Sequence, residues 1–219
     1  MKRIYLDHAA TTYLDPRVKS AMEPFWEKDF GNASTIYKEG VDARNALNQA
    51  RKTIAFIIGS HPDEIIFTNG GTESDNLAIF GVARYFSRGP SSGFLGFSRT
   101  VLGSRDSRGH IITSKIEHHA VLKPCEFLEK ENFKIIYLDV NKDGIVDLKK
   151  LKKSLRKDTI LVSIMYANNE IGVIQPIREI AKIIRDFKKR HGVGPLFHTD
   201  AIQAAGYLDL NVQKLGVDL

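Results

Sequence analysis

Four groups of polar residues in this chain could do chemistry, and each follows a short apolar run. The first is Asn69-Gly70-Gly71-Thr72-Glu73-Ser74-Asp75. Two glycines let a backbone approach an anion closely, and the free N–H groups and dipole of a helix start favour phosphate. Thr72 adds a hydroxyl donor. The same residues fit a plain turn into a helix, with Thr72 as N-cap and Asp75 completing a capping box. Glu73 and Asp75 would oppose an anion that they faced, so both are expected to point away. The second group is Glu117-His118-His119. An imidazole there can stack on a flat ring or act as an acid or base; a helix start with surface histidines is the alternative. The third is Tyr166-Ala167-Asn168-Asn169-Glu170-Ile171-Gly172, whose paired amides can bond a ligand oxygen or close an Asx-type turn before Gly172. The fourth, Phe197-His198-Thr199-Asp200-Ala201-Ile202-Gln203, delivers a carboxylate and an amide to the end of a strand. A carboxylate in that position can hold a cationic ring nitrogen, such as the pyridinium of pyridoxal 5′-phosphate (PLP), although a turn is again the alternative. A zinc site is not expected, because no second cluster has ligand spacing.

The elements that carry these groups alternate. Asp15-Pro16 reads as an N-cap followed by proline at the first helical position, opening a helix to about Trp26 or Glu27. After a turn at 31–34, Val41, Leu47, Ala50, Ile54 and Ile57 recur at helical spacing, with Gly59 as C-cap. From there strands are expected at 65–68, 111–113, 134–138, 159–165 and 195–197. Helices are expected at 73–86, 119–131, 147–156 and 176–191. Such alternation predicts an α/β fold: a three-layer sandwich with a mainly parallel central sheet. Ligands of open α/β sheets bind outside the carboxyl ends of the strands, so Gly71, His118, Asn169 and Asp200 should line one crevice. Residues 87–109, rich in Ser, Gly and Arg, are too long for an ordinary connection. They read as a mobile surface insertion or as a partner-binding or lid loop.

Composition narrows the classes. The 219 residues carry 42% hydrophobic residues, enough for a substantial core, and the mean hydropathy is −0.22. No apolar run approaches a membrane span, and Ile4-Tyr5-Leu6 is too short for a secretory signal. Cys125 is the single cysteine, which excludes an internal disulfide and points to a reducing, cytoplasmic setting. Its neighbours Val121, Leu122 and Phe127 suggest a half-buried helix position. The net charge of +6 could help draw acidic ligands. Nucleic-acid binding needs a clustered basic face and is not expected. Lys214 is the only lysine after Asp200, in a polar stretch that reads as a surface helix or turn. A PLP pocket also needs a lysine for its Schiff base, so the sequence suggests such a pocket and suggests that it is incomplete.

Tyr5-Leu6-Asp7-His8-Ala9-Ala10-Thr11-Thr12, Gly71-Thr72-Glu73-Ser74-Asp75-Asn76-Leu77-Ala78, Glu117-His118, Asn168-Asn169-Glu170-Ile171-Gly172 and His198-Thr199-Asp200-Ala201-Ile202-Gln203 together resemble the cysteine desulfurases of the NifS/IscS group. These are class V aminotransferase-like PLP enzymes of fold type I. The resemblance covers nearly the whole chain, apart from 87–109 and a slightly longer loop at 191–195. It implies that Gly71 and Thr72 bind the cofactor phosphate. His118 would stack on the pyridine ring and help move protons. Asp200 would pair with the ring nitrogen, and Asn169 and Gln203 would sit near the phenolic oxygen. It further implies removal of sulfur from L-cysteine to give L-alanine and an enzyme persulfide, which feeds iron–sulfur cluster and thio-nucleotide synthesis through an acceptor or scaffold protein. A homodimer is implied for the full-length protein. Residues 1–15 would join a small domain, and 16–219 would form an incomplete large domain. The family's Schiff-base lysine and persulfide cysteine have no counterpart in the 219 residues, so this is expected to be the N-terminal part, inactive alone. Selenocysteine lyase or another class V enzyme, and a non-catalytic PLP-binding or docking module, are the alternatives.

Overall fold

The structure, a computed structural model, describes residues 3–88 and 108–219, with only the backbone of Arg88. Residues 89–107, most of the expected insertion, lie outside the described residues. The chain divides into two compact units, Met1–Ile66 and Phe67–Leu219.

The first unit holds three helices, α1 (Pro16–Met22), α2 (Pro24–Glu27) and α3 (Lys38–Ile58). The Asp15 carboxylate accepts the Arg17 N–H at 2.8 Å and caps α1. The single helix expected up to residue 26 or 27 is in fact two. Pro24 has no N–H to give and its ring opposes the carbonyl of the preceding turn, so the helix stops and restarts. Gly59 closes α3 in the left-handed conformation, φ 71°, its N–H returned to the Ala55 carbonyl. The expected strand at 65–68 does not form. A 3₁₀ turn, Pro62–Glu64, precedes it, and Ile65 is extended, with φ −87° and ψ 121°. An extended, β-branched segment becomes a strand only when another strand lies in register beside it, and the sheet is built from four other segments.

The second unit is the α/β domain. Its elements are α4 (Gly71–Arg88), β1 (His110–Ser114), α5 (His119–Lys130), β2 (Lys134–Leu138), α6 (Leu148–Ser154), β3 (Thr159–Ser163), α7 (Ile177–His191), β4 (Leu196–His198) and α8 (Val212–Leu215). The four strands form one all-parallel sheet in the order β2-β1-β3-β4. β1 and β3 are buried at every position, as expected of central strands covered on both faces. Alternate residues serve opposite sides. Ile112, Val162, Ile164 and Phe197 pack with Leu151, Ile177, Ile180, Ile184 and Leu215 from α6, α7 and α8. Ile111 and Leu161 pack with Ile79, Ala83, Phe86, Val121, Cys125 and Leu128 from α4 and α5. The result is the three-layer sandwich that the alternation predicted. The chain leaves β1 for β2 on one side and then returns to β3 on the other, so the order reverses between β1 and β3. Such a switch point opens a crevice at the strands' carboxyl ends.

Candidate functional site

Each expected site residue sits at the exit of a strand or at the start of α4. The start of α4 shows why its residues are present. Gly70 has a φ of 156° and open space around its missing side chain. Gly71 differs from expectation, because a Cβ there would lie 1.7 Å from Ile202 Cδ1. Its bareness serves packing against the Asp200 loop, and Gly70 is the glycine with room for an approaching ligand. The backbone N–H groups of Gly71 and Thr72 have no acceptor among the described residues. The alternative reading of this turn, a Thr72/Asp75 capping box, is not used. Instead the Glu73 carboxylate accepts the Asn69 N–H at 2.7 Å and the Asn69 amide at 2.8 Å, which holds the Glu73 carboxyl below its usual range. Glu73 therefore does not point away as expected but lines a cleft with Asn69, Gly70, Gly71, Thr72 and Asn76.

Asp75 does turn away. It is buried, with one oxygen 3.5 Å from His198 Nε2, while His198 Nδ1 lies 2.8 Å from the Ser163 hydroxyl. Burial, and secondly the charge of Asp200, raises the Asp75 carboxyl to about 7. Burial lowers His198 to about 4. Both shifts favour the uncharged forms, so the contact is a buried polar pair and not a salt bridge of two full charges.

At the exit of β1, Glu117 is buried. The Ser114 hydroxyl donates to it at 2.5 Å, and the Met165 N–H reaches its two oxygens at 3.0 and 3.1 Å. Burial raises Glu117 to about 8 despite those hydrogen bonds, and Asp200 and Asp75 add to the rise. A carboxyl whose anion burial disfavours thus joins the exits of β1 and β3 across the switch point. Next to it, His118 is exposed and N-caps α5, its Nδ1 accepting the Ala120 N–H at 3.1 Å. That bond makes Nδ1 the acceptor and leaves Nε2 for other partners. Asn76, not singled out from sequence, donates its amide to the Thr72 carbonyl at 2.7 Å and the Ala120 carbonyl at 3.4 Å. It laces the first turn of α4 to the start of α5. Its i, i+4 spacing from Thr72 was the signal in the sequence.

The two amides after β3 separate. Asn168 is buried and fully engaged, accepting the Glu170 and Ile171 N–H groups at 2.8 Å each and donating to the Ile116 carbonyl at 2.8 Å. It is the Asx turn. Asn169 follows it, half-buried. Asp200, after β4, is half-buried, and one of its oxygens accepts the Ile202 N–H at 3.0 Å. Its carbonyl accepts the Tyr166 N–H at 2.8 Å. Gln203 is half-buried in the 3₁₀ turn Ile202–Ala204. Lys214 is an exposed residue of α8, paired with Asp209 at 3.1 Å. Cys125, expected half-buried, is fully buried under α5, and burial pushes its thiol up to about 12. α5 packs that whole face onto the sheet. Among the described residues no group of His, Cys, Asp and Glu could hold a metal ion, and no helix is long and apolar enough to cross a membrane.

The profile of the family Aminotransferase class-V matches residues 4–92 and 85–219. Cysteine desulfurase IscS of Dictyoglomus turgidum is 52% identical over 220 residues, covering 100% of this chain and 50% of that protein. Cysteine desulfurase IscS of Methanosarcina thermophila is 45% identical, covering 100% of this chain and 48% of that protein. Among solved structures, a NifS-like protein superposes with a TM-score of 0.85 at 36% identity, covering 99% of this chain and 54% of its own. SspA in complex with cysteine superposes with a TM-score of 0.82 at 36% identity, covering 98% and 55%. The chain thus spans about half the length of the relatives it matches. Similar along its whole length to cysteine desulfurases of the IscS and NifS kind, it belongs to the class V aminotransferase family of PLP enzymes.

Proposed function

We propose that the crevice grips PLP and that these residues are the cofactor-holding part of a cysteine desulfurase. One observation carries the reading: two open N–H groups at the start of a helix are packed against the loop that bears a half-buried carboxylate. Gly71 and Thr72 would hold the phosphate through their N–H groups and the Thr72 hydroxyl, with the helix dipole in support. Asp200 would face the ring nitrogen, and Asn169 and Gln203 the phenolic oxygen. His118 would cover the ring and, through Nε2, accept or donate a proton beside it. Bound there, PLP supplies the electron sink that desulfuration of an amino acid needs. Burial disfavours the anions of Glu117 and Asp75, which weakens them as rivals of Asp200 for a cationic ring.

The names of the relatives and the cysteine held by SspA support L-cysteine as substrate. A sulfur acceptor or scaffold protein for iron–sulfur cluster and thio-nucleotide synthesis, a homodimer and a cytoplasmic setting belong to the same proposal for the whole protein. Residues 1–219 alone are proposed to be inactive. Lys214 is engaged by Asp209, and the Cys125 thiol is sealed in the core.

Titration of the purified chain with PLP, followed by absorbance and equilibrium dialysis, tests the reading. Binding should be reversible, and Asp200→Ala should weaken it about ten-fold or more, as expected when a charge-assisted contact is lost. Equal binding by the variant, or release of sulfide and alanine from cysteine well above free PLP, would overturn it.

A further inference from the structure

Asp200 is flanked by two contacts to a single helix. Two residues before it, His198 meets Asp75, and two residues after it, Ile202 meets Gly71. Residues 71 and 75 are four apart and share one face of α4. The Asp75 contact is fully buried, backed by Ser163 of β3, and Asp75 Oδ2 has no hydrogen-bond partner among the described residues. An apolar pair would join α4 to β4 at lower cost, so a polar pair at this point calls for a further role. On the outer side, any side chain at position 71 would displace the Cδ1 end of Ile202, a residue 53% exposed.

We infer that Gly71–Ile202 and Asp75–His198 form a two-rung clamp that fixes the spacing between the N–H cradle of α4 and the Asp200 carboxylate, with Asp75 and His198 as positioning residues. A ligand with an anionic group at one end and a cationic ring at the other must touch both points at once. Holding them at a set separation removes the ordering cost of a two-point grip. The clamp's geometry stands by itself; its purpose rests on the PLP reading above.

The test is hydrogen exchange on the whole chain, without ligand, for wild type, Asp75→Ala, Asp75→Asn and Ile202→Ala. The reporters at the cradle are the Glu73 and Ser74 amides, which donate to the Gly70 carbonyl. The reporters at the other end are the Tyr166 and Ile202 amides, bonded to the Asp200 carbonyl and carboxylate. Asp75→Ala should speed exchange about ten-fold at both ends, with the Ile112 and Val162 amides changed less than about two-fold. Asp75→Asn, which keeps a polar side chain of the same size beside His198, should restore protection. Ile202→Ala opens only the outer rung and reads the clamp even if Asp75→Ala does not fold. Faster exchange in α4 alone, or equally throughout the domain, would overturn the clamp. In parallel, PLP affinity should fall about ten-fold in Asp75→Ala while inorganic phosphate, which touches only the cradle, changes less than two-fold. Equal loss for both would also overturn it. A wild-type chain that binds no PLP would sink the functional reading, while the exchange data would still decide the clamp.

Discussion

In Met1–Ile66 the large apolar side chains mostly face outward, whereas in Phe67–Leu219 they close two cores. Ile36 is 92% exposed and Phe56 88%, against 1% for Phe197 and 2% for Phe86. α1 and α2 bury no residue at all, and α3 buries only Gly40, Ala43 and Ala55. Yet the helices of the first unit are as well signalled as those of the second, with an Asp15 cap, prolines at helix starts and a left-handed Gly59. Local signals are therefore enough to draw a helix and not enough to bury it. Burial in the second unit comes from strands side by side, each presenting alternate residues to a helical layer. The same contrast holds for charge. Buried titratable groups belong to the second unit, where Glu117, Asp75 and His198 lie beneath or beside the strand exits and His110 sits at the start of β1.

One substitution made in both units gives the sharpest form of this contrast. Phe197→Ala should destabilise the second unit by about 3–5 kcal/mol, because it removes a fully buried ring and leaves a cavity. Urea denaturation followed by a probe within the sheet would measure it. A loss below about 1 kcal/mol would mean that this core is loosely packed and that the two units are less different than their burial suggests.

A second, smaller effect is expected from pH. Glu117 and Asp75 titrate at about 8 and about 7 in the fold, above their ordinary values, because burial penalises the anion. The folded state then binds more protons than the unfolded one. The stability linked to these groups is full below the unfolded pKa values and is lost as pH rises through about 7 to 8. His110 and His198, both lowered to about 4 by burial, work in the other sense. Their contribution is present above 6.5 and is lost as pH falls toward 4. Above about pH 7, where the unfolded imidazoles have given up most of their protons, the two acids dominate, so the domain should weaken from about pH 7 to 8. Glu117→Gln, which keeps the acceptor for Ser114 and Met165, should remove about 1 kcal/mol of that decline. The shifted groups of Met1–Ile66, Asp15 and Arg17, titrate below and above the window. Thermal melts from pH 6 to 8.5 would check both statements, and an unchanged slope in Glu117→Gln would remove Glu117 as the cause.

The smallest effect completes the pair. Phe56→Ala should change the stability of the chain by less than about 0.5 kcal/mol, since little apolar area is lost from contact. A loss near that of Phe197→Ala would break the comparison, because it would show that Phe56 is covered in solution.

Taken alone, the sequence determined the alternation of elements, the mainly parallel sheet that follows from it, and the family. Phe197–Gln203 and Glu117–His118 were legible because turn residues after a short apolar run mark a strand exit whatever lies around them. It did not determine the roles of individual residues within those motifs. Gly71 and Gly70 are alike in sequence, but only the fold brings Ile202 against one of them. Asn168 and Asn169 are alike too, yet one is consumed by Ile116, a residue 52 positions away. Asp75 and His198 form a pair only because the fold brings the start of α4 beside the end of β4. The strand at 65–68 failed for the same reason, since a strand exists only with a neighbour. Propensity, capping and periodicity act within a few residues and survive any context, whereas burial, pKa and pairing depend on what tertiary packing brings alongside.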